Sequence, residues 1–221
     1  MVETARTRHR APTVRTAGPL SLMLRGLSLI QRSPKPIHAR GAVSAATLQR
    51  FGSDPCSGVR WIDEPGAHTV LVRRSRGAGL PPPLPDVHGL TIRVPFEAGH
   101  ADILLGSTGL GRLTRFVPVP TSRSDRGALT TLMPYRGPGG PVLLGVRPRG
   151  VDEYHLIWAS HRSGWTTFGR LSLEPGPSAD ELVTFDPLLN PVPGLGHYTW
   201  TRRLRERVYR TAREQSRRTI D

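Results

Sequence analysis

Glycine and proline set the first limit on this chain. Its 221 residues include 24 glycines and 22 prolines. Each proline fixes φ and removes a backbone donor, and each glycine loosens a helix or marks a turn. So many corners leave no room for long helices to dominate, and the chain is predicted to be a mainly β (α+β) protein of short strands.

From Ile37 onward, apolar and β-branched pieces alternate with breakers. Strands are predicted at Thr69–Arg73, Leu90–Pro95, Asp102–Leu105, Arg115–Val119, Leu129–Met133, Pro141–Val146, Tyr154–Ala159 and Trp165–Leu173. The triple proline within Gly79–Pro85 demands an irregular loop. Short strands at this spacing suggest either a barrel or a sandwich.

Two segments read differently. Leu20–Gln31 has the pattern of a short helix, closed by Pro34 and Pro36. Trp200–Arg217 contains neither glycine nor proline, and Leu204, Val208 and Ala212 recur at four-residue steps, so a C-terminal helix packed on the sheet is predicted there. Residues 1–17 are rich in arginine and threonine without periodicity and are expected to be a disordered arm. Residues 18–221 are expected to form a single domain, since this length supports one good core.

The chain carries 31 basic residues, all arginine except Lys35, against 17 acids, for a formal charge of +14. Such a balance suits an anion-binding surface or simply a GC-rich genome. The arginines lack an interleaved aromatic stripe, so no specific nucleic-acid partner is predicted. Cys56 is the single cysteine, which excludes an intrachain disulfide. No apolar run approaches the length of a membrane span. The apolar stretch at Leu20–Ile30 is interrupted by Arg25 and followed by no small-residue cleavage site, so a cytoplasmic location is expected.

Six short motifs then appear in order. They are Ile37-His38-Ala39-Arg40-Gly41; Val72-Arg73-Arg74-Ser75; Asp86-Val87-His88-Gly89; Gly106-Ser107-Thr108; Phe185-Asp186-Pro187 with Val192-Pro193-Gly194; and Arg205-x-x-x-Tyr209. This order resembles the haem-dependent catalase family, whose members show His-Ala-Lys-Gly, Val-Arg-Phe-Ser, Asp-Val-Arg-Gly, Gly-Asn-Asn, Phe-Asp-Pro…Val-Pro-Gly and an Arg-x-x-x-Tyr helix. The resemblance spans about Ile37 to Arg218. It implies an antiparallel β-barrel with the C-terminal helix outside it, and haem as cofactor.

Under that resemblance Tyr209 is the axial ligand of the haem iron, as tyrosine is in catalase. A phenol ordinarily titrates near about 10, so the ligand needs help to ionise. Arg205, one helical turn earlier, stands where it can hydrogen-bond the phenolate. His38 becomes the distal acid-base group that moves a proton between the two peroxide oxygens, and Ser75 orients it. Arg73 and Lys35 match cations near the haem propionates, and Arg213 or Arg217 could serve similarly.

The departures point to altered chemistry. Ser107 and Thr108 stand where the family has asparagines, leaving Ser107 as the candidate donor to bound peroxide. Arg74 replaces the family's phenylalanine. These changes imply a haem-dependent peroxidase-type enzyme acting on a small-molecule hydroperoxide in oxidative stress, with weak or no hydrogen peroxide dismutation, and with a homo-oligomer as an open arrangement. The alternative is a non-enzymatic catalase-like barrel that binds haem or another small ligand. Asp86-x-His88 and His100-x-Asp102 offer metal-ligand types, but such spacings arise easily in polar loops.

Overall fold

A computed structural model describes residues 41–77, 79–81, 83–123, 127–174 and 183–203. Its strands are β1 (Gly41–Phe51), β2 (Pro65–Arg76), β3 (His88–Phe96), β4 (Gly99–Thr108), β5 (Ala128–Thr130), β6 (Tyr135–Gly137), β7 (Gly140–Gly150), β8 (Glu153–Ser160) and β9 (Thr166–Leu173). A single-turn helix, α1 (Arg60–Asp63), sits between β1 and β2. A further helix begins at Thr199 and is described over 199–203.

Eight strands close on themselves. Antiparallel pairing runs β1-β2-β3-β4-β5, crosses from β5 to β7, continues through β8 to β9, and returns from β9 to β1. Closure leaves no open sheet edge around the ring, which removes the usual template for edge-to-edge association. β6 covers the part of β7 that β5 does not reach, pairing Tyr135–Gly137 with Val142–Gly140. The mainly β barrel expected from the resemblance is the observed architecture.

Alternation builds the interior. Val70 and Val72, Leu90, Ile92 and Val94, and Ala101, Ile103 and Leu105 are buried at every second position of β2, β3 and β4. The same holds for Val142, Leu144 and Val146 of β7 and for Tyr154, Leu156 and Trp158 of β8. On β9, Phe168 and Leu171 differ in parity yet both join the core. The register shift opposite Leu156 and Ile157 explains this, because a bulge resets which side chains point inward. Trp61 from α1 enters the core edge-on to Phe168, with ring centroids 5.6 Å apart.

Most predicted strands fall inside observed ones. Arg115–Val119 does not. Thr114–Phe116 is instead a 3-10 turn, because Arg115 is buried and must satisfy its guanidinium. Its donors reach the carbonyls of Gly111, Ser160 and Ser163, and it lies over the Trp165 ring at 5.0 Å. Leu129–Met133 is also shorter than predicted, since β5 ends at Thr130 and Leu132 takes a left-handed φ of 57°. The predicted helix at Leu20–Gln31, the arm at 1–17 and most of the C-terminal helix lie outside the described residues.

Candidate functional site

The pairing register aligns a belt of small residues around the barrel. Gly41 faces Ser75, Ser75 faces Gly89, Gly89 faces Gly106, Gly106 faces Thr130, and Thr130 faces Gly145. Residues directly opposite in antiparallel strands share a face. The inward positions of β3 and β4 are Leu90 and Leu105, so this belt lies on the outer face.

Ser75 and Arg73 belong to that face, two residues apart on β2. Ser75 is buried, and Arg73 is half-buried beside Val43 and Thr91, its cross-strand partners. The Arg73 guanidinium reaches the carbonyl of Val183 at 3.5 Å. Thr108 lies on the same face and donates its hydroxyl to Thr130 at 3.1 Å. Thr130 in turn donates to the Arg115 carbonyl at 2.8 Å and accepts from the Leu132 amide at 3.2 Å. This places Leu132 over Gly106, whose added Cβ would lie 2.9 Å from the leucine Cδ1.

Ser107 is placed elsewhere. It sits opposite Leu129, on the other face of β4 from Gly106 and Thr108. Its hydroxyl donates to the Val119 carbonyl at 2.7 Å and accepts from the His88 amide at 3.1 Å. Both bonds tie backbone segments together at the barrel rim, so Ser75 and Ser107 do not meet. His38, Lys35, Arg205, Tyr209 and Arg213 lie outside the described residues. Gly41, three residues after His38 in sequence, is the β1 residue paired with Ser75.

Arg74 has a clear role. It forms an ion pair of 2.6 Å with Asp152, on the turn between β7 and β8. Asp152 holds φ at 59°, a conformation aspartate tolerates better than most side chains. A phenylalanine at position 74 would have no such partner.

Sequence reasoning missed the anchor around Asp102. This fully buried carboxylate accepts both Nε and Nη2 of Arg93, at 2.8 and 2.9 Å. It also accepts the Asp186 amide at 2.8 Å and Asn190 Nδ2 at 3.3 Å. Arg93 donates to the Thr184 carbonyl at 2.7 Å and lies 4.7 Å from the Phe185 ring centroid. The Phe185-Asp186-Pro187 motif is therefore a strap docked on β3 and β4. The readable signal was a pair of opposite charges flanking the Gly99 turn at matched hairpin positions, since Arg93 pairs with Asp102.

Asp86 and His88 are also used structurally. Asp86 accepts the amides of Leu80 and Val87, while the His88 ring lies 3.0 Å from the Thr121 carbonyl oxygen. Among the described residues, no group of three or more His, Cys, Asp or Glu side chains is arranged to hold a metal ion. Nor, among those residues, is any helix long and apolar enough to cross a membrane.

This closed antiparallel barrel, with its outer strap and its helix following β9, defines a catalase-like fold. One solved structure that it resembles is a fungal catalase, at a TM-score of 0.54 and 12% identity, with 90% of this chain covered. The match spans 62% of that catalase's length. No family model matches the sequence, and no curated protein sequence does either. The likeness is one of fold.

One side of the barrel wall is built of small residues. The belt carries nothing bulkier than threonine from Gly41 to Gly145, apart from the leucine lying over Gly106. Ser75 supplies a buried hydroxyl on that face. Arg73 supplies a cation of the kind that pairs with carboxylates.

Proposed function

We propose that the protein binds haem against the outer face of β1–β4 and acts as a peroxidase on hydroperoxides, with little hydrogen peroxide dismutation. The observation that carries this reading is the register of Gly41 with Ser75, with Arg73 two residues further along the same face. It supports a role for Ser75 in orienting His38, which is close in sequence to Gly41. Haem would supply a redox-active iron for cleaving the peroxide O–O bond. In this reading Tyr209 binds the iron as phenolate and Arg205 favours its ionised form. Arg73, Lys35 and Arg213 hold the propionates, and His38 moves the proton between the peroxide oxygens.

The absence of asparagine at 107 and 108 supports weak dismutation. The Ser107 hydroxyl is bound between two backbone groups, and that of Thr108 is directed to Thr130. Thr108 shares the face of Ser75, but its one proton goes to Thr130, so this reading has no free hydroxyl donor to peroxide at 107 or 108. Leu132 over Gly106 favours a second reading, a barrel that holds haem or a small ligand without turnover.

Turnover separates the two. The haem-reconstituted full chain is assayed for dye oxidation with an alkyl hydroperoxide and for oxygen release from hydrogen peroxide. Peroxidase turnover should exceed that of free haem, with little oxygen release. His38→Ala should slow it by about a hundred- to ten-thousand-fold while the haem stays bound. Bound haem with no turnover above free haem would establish the second reading instead.

A further inference from the structure

The opposite side of the barrel carries an arrangement that this function does not use. On the outer face of β7, β8, β9 and β1, register places Arg147 against His155, His155 against Arg170, and Arg170 against Gln49. Arg147 and Arg170 are exposed and His155 is half-buried between them, with exposed Arg149 two residues beyond Arg147. Neighbouring strands lie about 4.8 Å apart, so the row puts two guanidinium groups within reach of one imidazole.

Like charges set across a sheet in this way destabilise it unless something answers them. Among the described residues, the acid that faces the row is Glu153, which approaches Arg170 at 3.7 Å with both side chains nearly half exposed. Gln49 accepts a hydrogen bond from Arg170 at 3.1 Å. Asp152, next in sequence, is taken by Arg74. The His155 ring is held below the ordinary histidine range, first by burial and then by Arg149, with Glu153 opposing and Arg147 and Arg170 adding to the effect. The row therefore has a positive local field, and the exposed face leaves it open to solvent.

One further residue belongs to the same face. Phe51, two positions beyond Gln49 on β1, is 54% exposed. Phe51 is far from these arginines along the chain, but on β1 it stands two residues past Gln49, the partner of Arg170. Cations in a row with an exposed ring at one end match the phosphates and a stacked base of a single strand.

We propose that the Arg147–His155–Arg170 row is a phosphate-binding site, which holds a phosphate group between the two arginines with the imidazole beneath it. The ligand class is a phosphate monoester or diester, as found in a nucleotide or in a single-stranded nucleic acid. The site is independent of haem.

The test follows His155 by NMR in the full chain carrying 13C-labelled histidine, with pH titrations in chloride buffer and after adding inorganic phosphate, adenosine monophosphate or a ten-residue oligothymidylate. An anion beside the ring favours its charged form, so the His155 pKa should rise by about one unit, a tenfold gain in proton affinity. The rise should vanish in Arg147→Gln/Arg170→Gln, whose substitutions are on the surface and leave the core intact. It should survive in the charge-matched control Arg60→Gln/Arg162→Gln. A rise with all three ligands marks a site for a single phosphate group. A rise with the oligonucleotide alone marks a site for a strand, and Phe51→Ala should then weaken binding severalfold. No rise with any ligand, or a rise that persists in the Arg147/Arg170 variant, overturns the proposal.

Discussion

The two faces of strands β2–β5 differ in what they can accept. Inside, Ile92, Ile103, Leu105, Leu144, Val146, Leu156, Trp61 and Phe168 surround a void of only about 10 Å3, room for a single water. Outside, β1–β5 present glycine, serine and threonine at Gly41, Ser75, Gly89, Gly106 and Thr130. The void among these inner side chains is far too small for a porphyrin, while the outer belt is built of small residues that are themselves buried from Ser75 to Thr130. The inner face holds the fold together, and the outer face of the same residues' neighbours is where binding has to be sought. Ser75 and Ser107 show the contrast in miniature: two serines at one barrel end, on opposite faces, one on the belt and one bonded into the backbone of the rim.

Core truncation should break the inner face most severely. Phe168 is 1% exposed and packs on Trp61, so Phe168→Ala should cost about 3–5 kcal/mol in urea unfolding. Asp102→Ala should come next. It strands Arg93 in a partly buried site and releases the strap at Asp186 and Asn190, for a loss of about 3 kcal/mol. A loss under about 1 kcal/mol would show that the strap is held by its apolar contacts alone.

The serine pair sharpens the comparison at a smaller scale. Ser107→Ala leaves the Val119 carbonyl and the His88 amide short of a partner, so it should lower stability by about 1–3 kcal/mol and leave haem affinity unchanged. Ser75→Ala should instead shift the pH profile of peroxidase turnover. If both variants behave alike, the division between the faces is wrong.

The smallest effect is that of pH. Burial and Arg50 hold His68 below the usual imidazole range, and burial and neighbouring arginines do the same for His155. Because the unfolded chain takes up protons more readily, stability should be constant above the unfolded pKa of about 6.5 and fall as pH drops through the lower folded values. Both rings are half-buried and screened by solvent, so the decline should be shallow, and His68→Asn/His155→Asn should flatten it.

Strand positions were largely legible because alternation survives in Leu90–Pro95, Asp102–Leu105 and Pro141–Val146. The motif order also pointed to the barrel. Other features depend on contacts that one segment cannot reveal. Arg115–Val119 alternates like a strand, yet the carbonyls that capture Arg115 come from Gly111 and from Ser160 and Ser163, the latter two more than forty residues away. Ser107 looked like a ligand donor because its motif position suggested it, but face is set by register with β3 and β5. The Asp102 anchor joins residues 84 positions apart, and only the fold brings them together.

The proposed function requires that the chain bind haem, with Tyr209 as its ligand. The most direct measurement is an absorbance titration of the purified full chain with haemin, run in parallel on Tyr209→Phe. A Soret band that saturates at one haem per chain is expected, with its loss or marked displacement in the variant, since only the phenolic oxygen has been removed. A chain that develops no saturable band, or a Tyr209→Phe protein whose band is unchanged, would contradict it.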